Sequence, residues 1–303
     1  MGNNNASLTR KDFLKLTAST MAGVALAGTE IGCSTLQGMK PPTMDFKKGM
    51  FLRNASIVDV ERGVIARGRS ITIVDEKIVK IDDAQTPPSP DFGVIDLENR
   101  HVIPGLIDAH CHTTLPSING TDVKLLNDVL IQLERNYVQH IQNGVTTVRD
   151  NGAAPKLLPK YLGRIEKGSI AGPRVCYCGR FINIAGSHPD IDIRDVSAVG
   201  GMVLALTGDP NCNFIGIEDL KKKLEENYEC KPDFIKLTMD DVSVMCGKDK
   251  LECYSEEQIK VILDFAARHN LPVTGHIHHK FGFDRAITHG INVEHTICDA
   301  VIP

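Results

Sequence analysis

Apolar residues keep two different rhythms along this chain. Between residues 50 and 100 they gather into short β-branched runs: Met50–Val58, Ser70–Ile81 and Val94–Leu97. Polar turns separate the runs, which predicts strands, and Asp75-Glu76-Lys77 predicts a tight hairpin. From residue 123 the spacing lengthens to three and four. Val123, Leu126, Val129, Leu130, Leu133, Tyr137, Val138 and Ile141 trace one helical stripe over 123–143, closed by Gly144. Strands at 145–148, 174–182, 234–238, 272–276 and 292–296 then alternate with helices at 157–166, 218–228, 255–269 and 283–289. Ser255 followed by two glutamates reads as an N-cap with acid in the first turn. This alternation predicts parallel βαβ units, with six strands counted from the one that carries His110. The long Gly-, Asp- and Asn-rich connection 183–216 predicts a functional or mobile loop.

The two regimes meet at Val102-Ile-Pro-Gly-Leu-Ile-Asp-Ala-His110-Cys-His112. Ile103, Leu106 and Ile107 predict a buried strand entered at Pro104-Gly105. Residues i and i+2 of a strand face one side, so His110 and His112 point together and Cys111 points away. Two converging imidazoles suit a metal ion; the plainer reading is two solvated histidines. Lys236, His276 and His295 fall at or near the ends of later strands. In a parallel α/β barrel those ends carry the active site. Lys236 stands between Ile235 and Leu237, inside a strand, where an ammonium is costly unless neutralised or modified; the plainer reading is a lysine snorkelling to the strand end.

Composition adds bounds. The chain has 303 residues, 42% hydrophobic and 24% charged, with a formal net charge of -4. That is ordinary for a globular chain and implies no nucleic-acid partner. Nine cysteines include no Cys-x-x-Cys pair, which argues against a zinc ribbon or a thioredoxin site. Residues 1–40 read as a separate segment. Arg10-Lys11 precede an apolar, threonine-rich run from Phe13 to Ile31 and then Cys33, the layout of an export signal. Thr9-Arg-Lys-Asp-Phe-Leu-Lys15 is similar to a twin-arginine signal with lysine for the second arginine. Glu30-Ile-Gly-Cys33 resembles a lipoprotein box with glutamate in an aliphatic place. The expectation is an exported, periplasmic or cell-envelope protein with membrane anchoring through Cys33; a plain N-terminal tail on a cytoplasmic protein is the alternative.

The motif at 102–112, with Gly144-Val-Thr-Thr-Val148, Asp233-Phe-Ile-Lys236, Val273-Thr-Gly-His276 and Val293-Glu-His295, resembles the amidohydrolase superfamily of metal-dependent hydrolases. The likeness runs from about residue 50 to the end. It implies an α/β fold with a (β/α)8 TIM-type barrel over 104–303, preceded by a small β-sandwich part over 41–103. It also implies two divalent ions, with zinc the best match to imidazole and carboxylate donors. His110 and His112 would hold one ion, a carboxylated Lys236 would bridge both, and His276 and His295 would hold the second. The implied reaction is hydrolysis of an amide, peptide or cyclic amide C–N bond by a metal-activated hydroxide attacking the carbonyl.

Gly144–Asp150, Gly172-Pro-Arg-Val175 and Ala185-Gly-Ser-His188 are similar to the branch that cleaves aminoacyl-proline or aminoacyl-arginine bonds. This points to a small-molecule or dipeptide substrate, with His188 as a substrate-binding residue or simply a loop histidine. Arg149 or Arg180 could meet a substrate carboxylate, or form an ordinary surface ion pair. His278 and His279 are candidate outer groups without an assigned role. A homo-oligomer is compatible with the family.

The chain ends at Pro303, after the sixth strand. The family's eighth-strand aspartate has no counterpart here, so no catalytic acid or base is assignable. The expectation is a C-terminally truncated barrel of about six βα units, its chemistry that of a longer parent. The alternative is an inactive homologue acting as a non-catalytic binding or envelope-anchored protein.

Overall fold

A computed structural model describes residues 48–115, 121–188, 197–243 and 248–301. The export-like segment 1–40, with Cys33, lies outside the described residues. The chain forms two compact units, one of described residues 48–108 with 144–147, the other of 109–143 with 148–301.

In the first unit, β1 (Met50–Asp59), β2 (Val64–Val74), β3 (Lys77–Asp82), β4 (Gly93–Asp96) and β5 (His101–Val102) form one five-stranded sheet. Its order is β3-β2-β1-β4, and β5 also pairs with β1. The predicted hairpin is present. Asp75 and Glu76 both take positive φ, 47° and 63°, the backbone that matches the twist of the flanking strands. The buried strand expected at Ile103, Leu106 and Ile107 is corrected. These side chains are 53%, 49% and 70% exposed. Apolar composition alone does not bury a strand when no packed layer lies over it.

The second unit carries the alternating elements. β6 (Leu106–Cys111), β7 (Val145–Asp150) and β8 (Arg174–Tyr177) form one sheet. β9 (Phe181–Ile184), β10 (Asn211–Phe214), β11 (Ile235–Thr238), β14 (Val273–His276) and β15 (Asn292–Glu294) form a parallel one, in the order β10-β9-β11-β14-β15. A short antiparallel pair, β12 (Val242–Ser243) with β13 (Lys248–Asp249), lies between β11 and the next helix.

Three sequence expectations are refined. The strand expected over 174–182 breaks into β8 and β9 around Gly179, whose φ is +74°. The single helix expected over 123–143 has three joined parts: Asp122–Asn127, a π-helical turn Asp128–Gln132, and Leu133–Gln142. A π turn inserts a residue and rotates the stripe. Leu133, Tyr137 and Val138 are therefore buried, while Val123 and Leu130 face outward. The connection 183–216 holds a helix, Ala198–Thr207, capped by Ser197, and the edge strand β10. Gly200-Gly201 and an apolar surface all round conceal that helix from a stripe search.

Helices Gly216–Tyr228, Glu256–His269 and Lys280–His289 cover one face of the parallel sheet. Ile182, Phe214, Leu220, Leu224, Ile235, Leu237, Ile259, Ile262 and Phe265 form its core. Ser255 starts its helix with a reciprocal capping box to Gln258, and Asn270 ends it in the left-handed region. Ile235 and Leu237 point to the helices, so Lys236 and Thr238 point to the other face. All four are buried. None of the described helices is long and apolar enough to cross a membrane.

Candidate metal centre

The register of the parallel sheet decides what meets what. Thr238 pairs with His276 and His276 with Glu294; Lys236 pairs with Thr274 two residues earlier. Paired residues of parallel strands share a face, so Lys236, His276 and Glu294 point the same way. Strand alternation would send His295 to the opposite side. It does not, because His295 has φ +72°, an uncommon conformation for a residue with a Cβ. The turned backbone brings His295 Nε2 to 3.1 Å from His276 Nδ1.

The imidazoles form a continuous group. Ring centroids are 5.4 Å apart for His110–His112, 4.3 Å for His110–His295 and 4.6 Å for His276–His295. His188 stacks on His276 at 4.2 Å and bonds Ser243 Oγ at 2.9 Å through Nδ1. His278 was not assigned a role from sequence, yet a ring nitrogen of each of His276, His278 and His295 lies within 4.8 Å of the others. Its spacing from His276 repeats the His-x-His of residues 110–112, and that was the available signal.

Hydrogen bonds set the tautomers of the first pair. His110 Nδ1–H donates to Glu294 Oε2 at 2.7 Å, and His112 Nδ1–H donates to the Gly152 carbonyl at 3.1 Å. Each ring then carries its lone pair on Nε2, the form that ligates a metal. Burial lowers His112, His188 and His295 to about 4, and neighbouring imidazoles and the Lys236 charge push the same way. Burial lowers His276 further. These rings are neutral at pH 7.

Lys236 is 1% exposed, and its Nζ has no hydrogen-bond partner among the described residues. Burial depresses its ammonium to about 8, against the pull of Glu294. His276 Nε2 is likewise buried and unpartnered. A buried amine and a buried imidazole nitrogen, both without a partner among the described residues, are donor atoms that a bound metal ion would complete. Glu294 resists burial's upward push on its carboxyl. Donors from His110, Thr274 and Arg149 hold it well below the usual range.

The two arginines considered for substrate binding are committed elsewhere. Arg149 pairs with Glu294, donates to Asn151 and lies over the Phe234 ring at 3.9 Å. Arg180 bonds the carbonyls of Asp209 and Asn211. These contacts use Nη1 of Arg149 and Nε and Nη2 of Arg180.

Asp150 organises the loop after β7. Its carboxylate accepts from Thr113 N, Thr113 Oγ1 and Gly152 N, and Tyr137 Oη supports Thr113 at 2.8 Å. Burial raises Asp150 to about 6 despite these donors. Its stabilising effect is therefore full below the ordinary carboxylate range and is lost as pH rises through about 6. Urea unfolding between pH 4 and 7 should show a decline on the order of 2–3 kcal/mol from this group, absent in Asp150→Asn. Parallel pH profiles for the two proteins would refute it.

The sequence profile of the Amidohydrolase family matches residues 101–300. Ochratoxinase of Aspergillus niger is 28% identical over 215 residues, covering 64% of this chain and 43% of that protein. The chain thus spans less than half the length of that relative. Among solved structures, a prolidase complexed with N-methylphosphonate-L-proline superposes with a TM-score of 0.68 at 25% identity, over 82% of this chain and 60% of that one. A Xaa-Pro dipeptidase with methionine bound in its active site shares the fold, with a TM-score of 0.65 at 21% identity, over 82% and 61%. With the profile spanning about two thirds of its length, this chain belongs to the amidohydrolase family.

Proposed function

We propose that this chain carries the metal-binding part of a hydrolase that cleaves the C–N bond of a small amide or dipeptide. The observation that supports it best is Lys236 Nζ, buried beside His112, His276 and His295 with no hydrogen-bond partner among the described residues. A neutral lysine amine adds carbon dioxide and releases a proton, which turns an awkward buried base into a carboxylate ligand. His110 and His112 would hold one divalent ion, His276 and His295 a second, with carboxylated Lys236 shared between them. His278 stands close enough to serve the second ion. Zinc suits this donor set. Bound ions there would polarise a substrate carbonyl and lower the pKa of a water molecule.

The chain's own residues do the rest. Glu294 and the Gly152 carbonyl hold the first histidine pair in their ligand tautomers. His188, buried and stacked on His276, would meet a substrate carbonyl or carboxylate. The strands β6, β7, β8 with β9, β11, β14 and β15 are read as six of the eight walls of a TIM-type barrel. The prolidase and dipeptidase likenesses direct the choice of substrate to aminoacyl-proline dipeptides.

The test is metal analysis of the purified chain with a dipeptide and N-acyl amino acid hydrolysis screen. About two zinc ions per chain are expected, with hydrolysis abolished by a chelator and restored by zinc. A chain that takes up no divalent metal overturns the reading.

A further inference from the structure

We propose that Glu294 is a positioning residue of this centre, acting through His110; this rests on the metal-binding reading above. Glu294 is 8% exposed and sits on β15, immediately before His295. Its two oxygens are fully used. Oε2 accepts from His110 Nδ1–H at 2.7 Å. Oε1 accepts from Thr274 Oγ1 at 2.6 Å and from the Arg149 guanidinium. Arg149 is itself pinned by Asn151 and the Phe234 ring.

β6 and β15 belong to different sheets. Backbone pairing does not set the distance between His110 and His295, so side chains must. The Glu294 carboxylate takes that role. Thr274 and Arg149 fix its plane, and the fixed plane dictates where the His110 ring lies and which of its nitrogens carries the proton. A ring free to rotate or to change tautomer would offer Nε2 only part of the time. A carboxylate behind a ligating histidine also makes the ligand nitrogen more basic.

The experiment uses the full chain with Glu294→Ala and Glu294→Gln. Nitrogen-15 spectra of the metal-free proteins report the His110 tautomer. Cobalt(II) titration against a competing chelator reports affinity, and the visible band reports the ligand set. Wild type and Glu294→Gln should show the Nδ1–H tautomer, because the glutamine oxygen still accepts. Glu294→Ala should lose it. Cobalt affinity should fall roughly 10- to 100-fold in Glu294→Ala and severalfold in Glu294→Gln. Should the alanine variant fail to fold, the glutamine variant decides. Wild-type affinity in Glu294→Gln, or an unchanged tautomer and affinity in a folded Glu294→Ala, overturns the proposal while leaving the metal centre standing. A wild-type chain that binds no cobalt overturns both.

Discussion

Lys236→Met is expected to cost the protein at least one bound metal ion and, at the same time, to make the metal-free protein more stable. The two effects have one cause. Lys236 Nζ is buried without a hydrogen-bond partner among the described residues. Its ammonium is depressed to about 8 by burial, from an ordinary value of 10.5. Holding it charged therefore costs on the order of 3 kcal/mol. That penalty is full below about pH 8 and vanishes as pH rises past 10.5, where the lysine is neutral folded or unfolded. Methionine fills similar volume without a charge to desolvate.

Chemical unfolding of metal-free protein at pH 7 should favour the variant by about 2–3 kcal/mol, with the gap closing by pH 10.5. Metal content should drop by at least one ion per chain, and any hydrolytic activity should fall by more than the roughly 100-fold expected of an outer partner. Wild-type uptake should rise with added bicarbonate. Unchanged metal content in Lys236→Met would remove the carboxylated lysine from the account. A less stable variant would mean that the amine has a partner after all.

Gly152→Ala should be the most damaging single-methyl change near the site. Gly152 has φ +151°, a conformation left to glycine. A Cβ there would lie 2.2 Å from two atoms of the Phe181 ring, which packs edge-on against His112 at a centroid distance of 5.7 Å. The same residue gives its carbonyl to His112 and its N–H to Asp150. Strain and overpacking together predict about 2–4 kcal/mol of destabilisation. Relief of the clash shifts the residue-152 carbonyl away from His112, which should then lose metal affinity by roughly 10-fold or more. Gly163→Ala is the control. It lies within the helix Leu158–Glu166 with nothing near its missing Cβ, and should stabilise by about 0.5–1 kcal/mol. Thermal melts and cobalt titrations of the pair would show it. A benign Gly152→Ala would refute the packing argument.

Much of this candidate site was legible in the chain. His110-Cys-His112, Lys236, His276 and His295 stand out because each breaks an apolar run, and a strand's period of two sorts such residues onto faces. The same rule misplaces His295, which should oppose Glu294 and instead joins His276 through a left-handed turn. It also passes over Glu294, and it offered His278 only as an outer group without a role. A glutamate beside a histidine carries no sign of its partners, and His110 lies 184 residues away in sequence. For Arg149 and Arg180 a substrate carboxylate and an ordinary ion pair both stayed open, because sequence does not show a guanidinium already bonded to a carboxylate or to backbone carbonyls.

The chain by itself determined most of the alternation of strands and helices, the hairpin at Asp75-Glu76, the cap at Ser255 and which histidines and lysine to consider for the candidate site. These follow from local rules: side-chain periodicity, turn chemistry and the cost of a charge inside an apolar strand. Only the tertiary structure decided which strand ends meet, which way His295 turns, that Lys236 Nζ is left without a hydrogen-bond partner among the described residues, and that Glu294 joins two sheets through His110. Those depend on register and packing between residues far apart in the chain, and no local pattern encodes them.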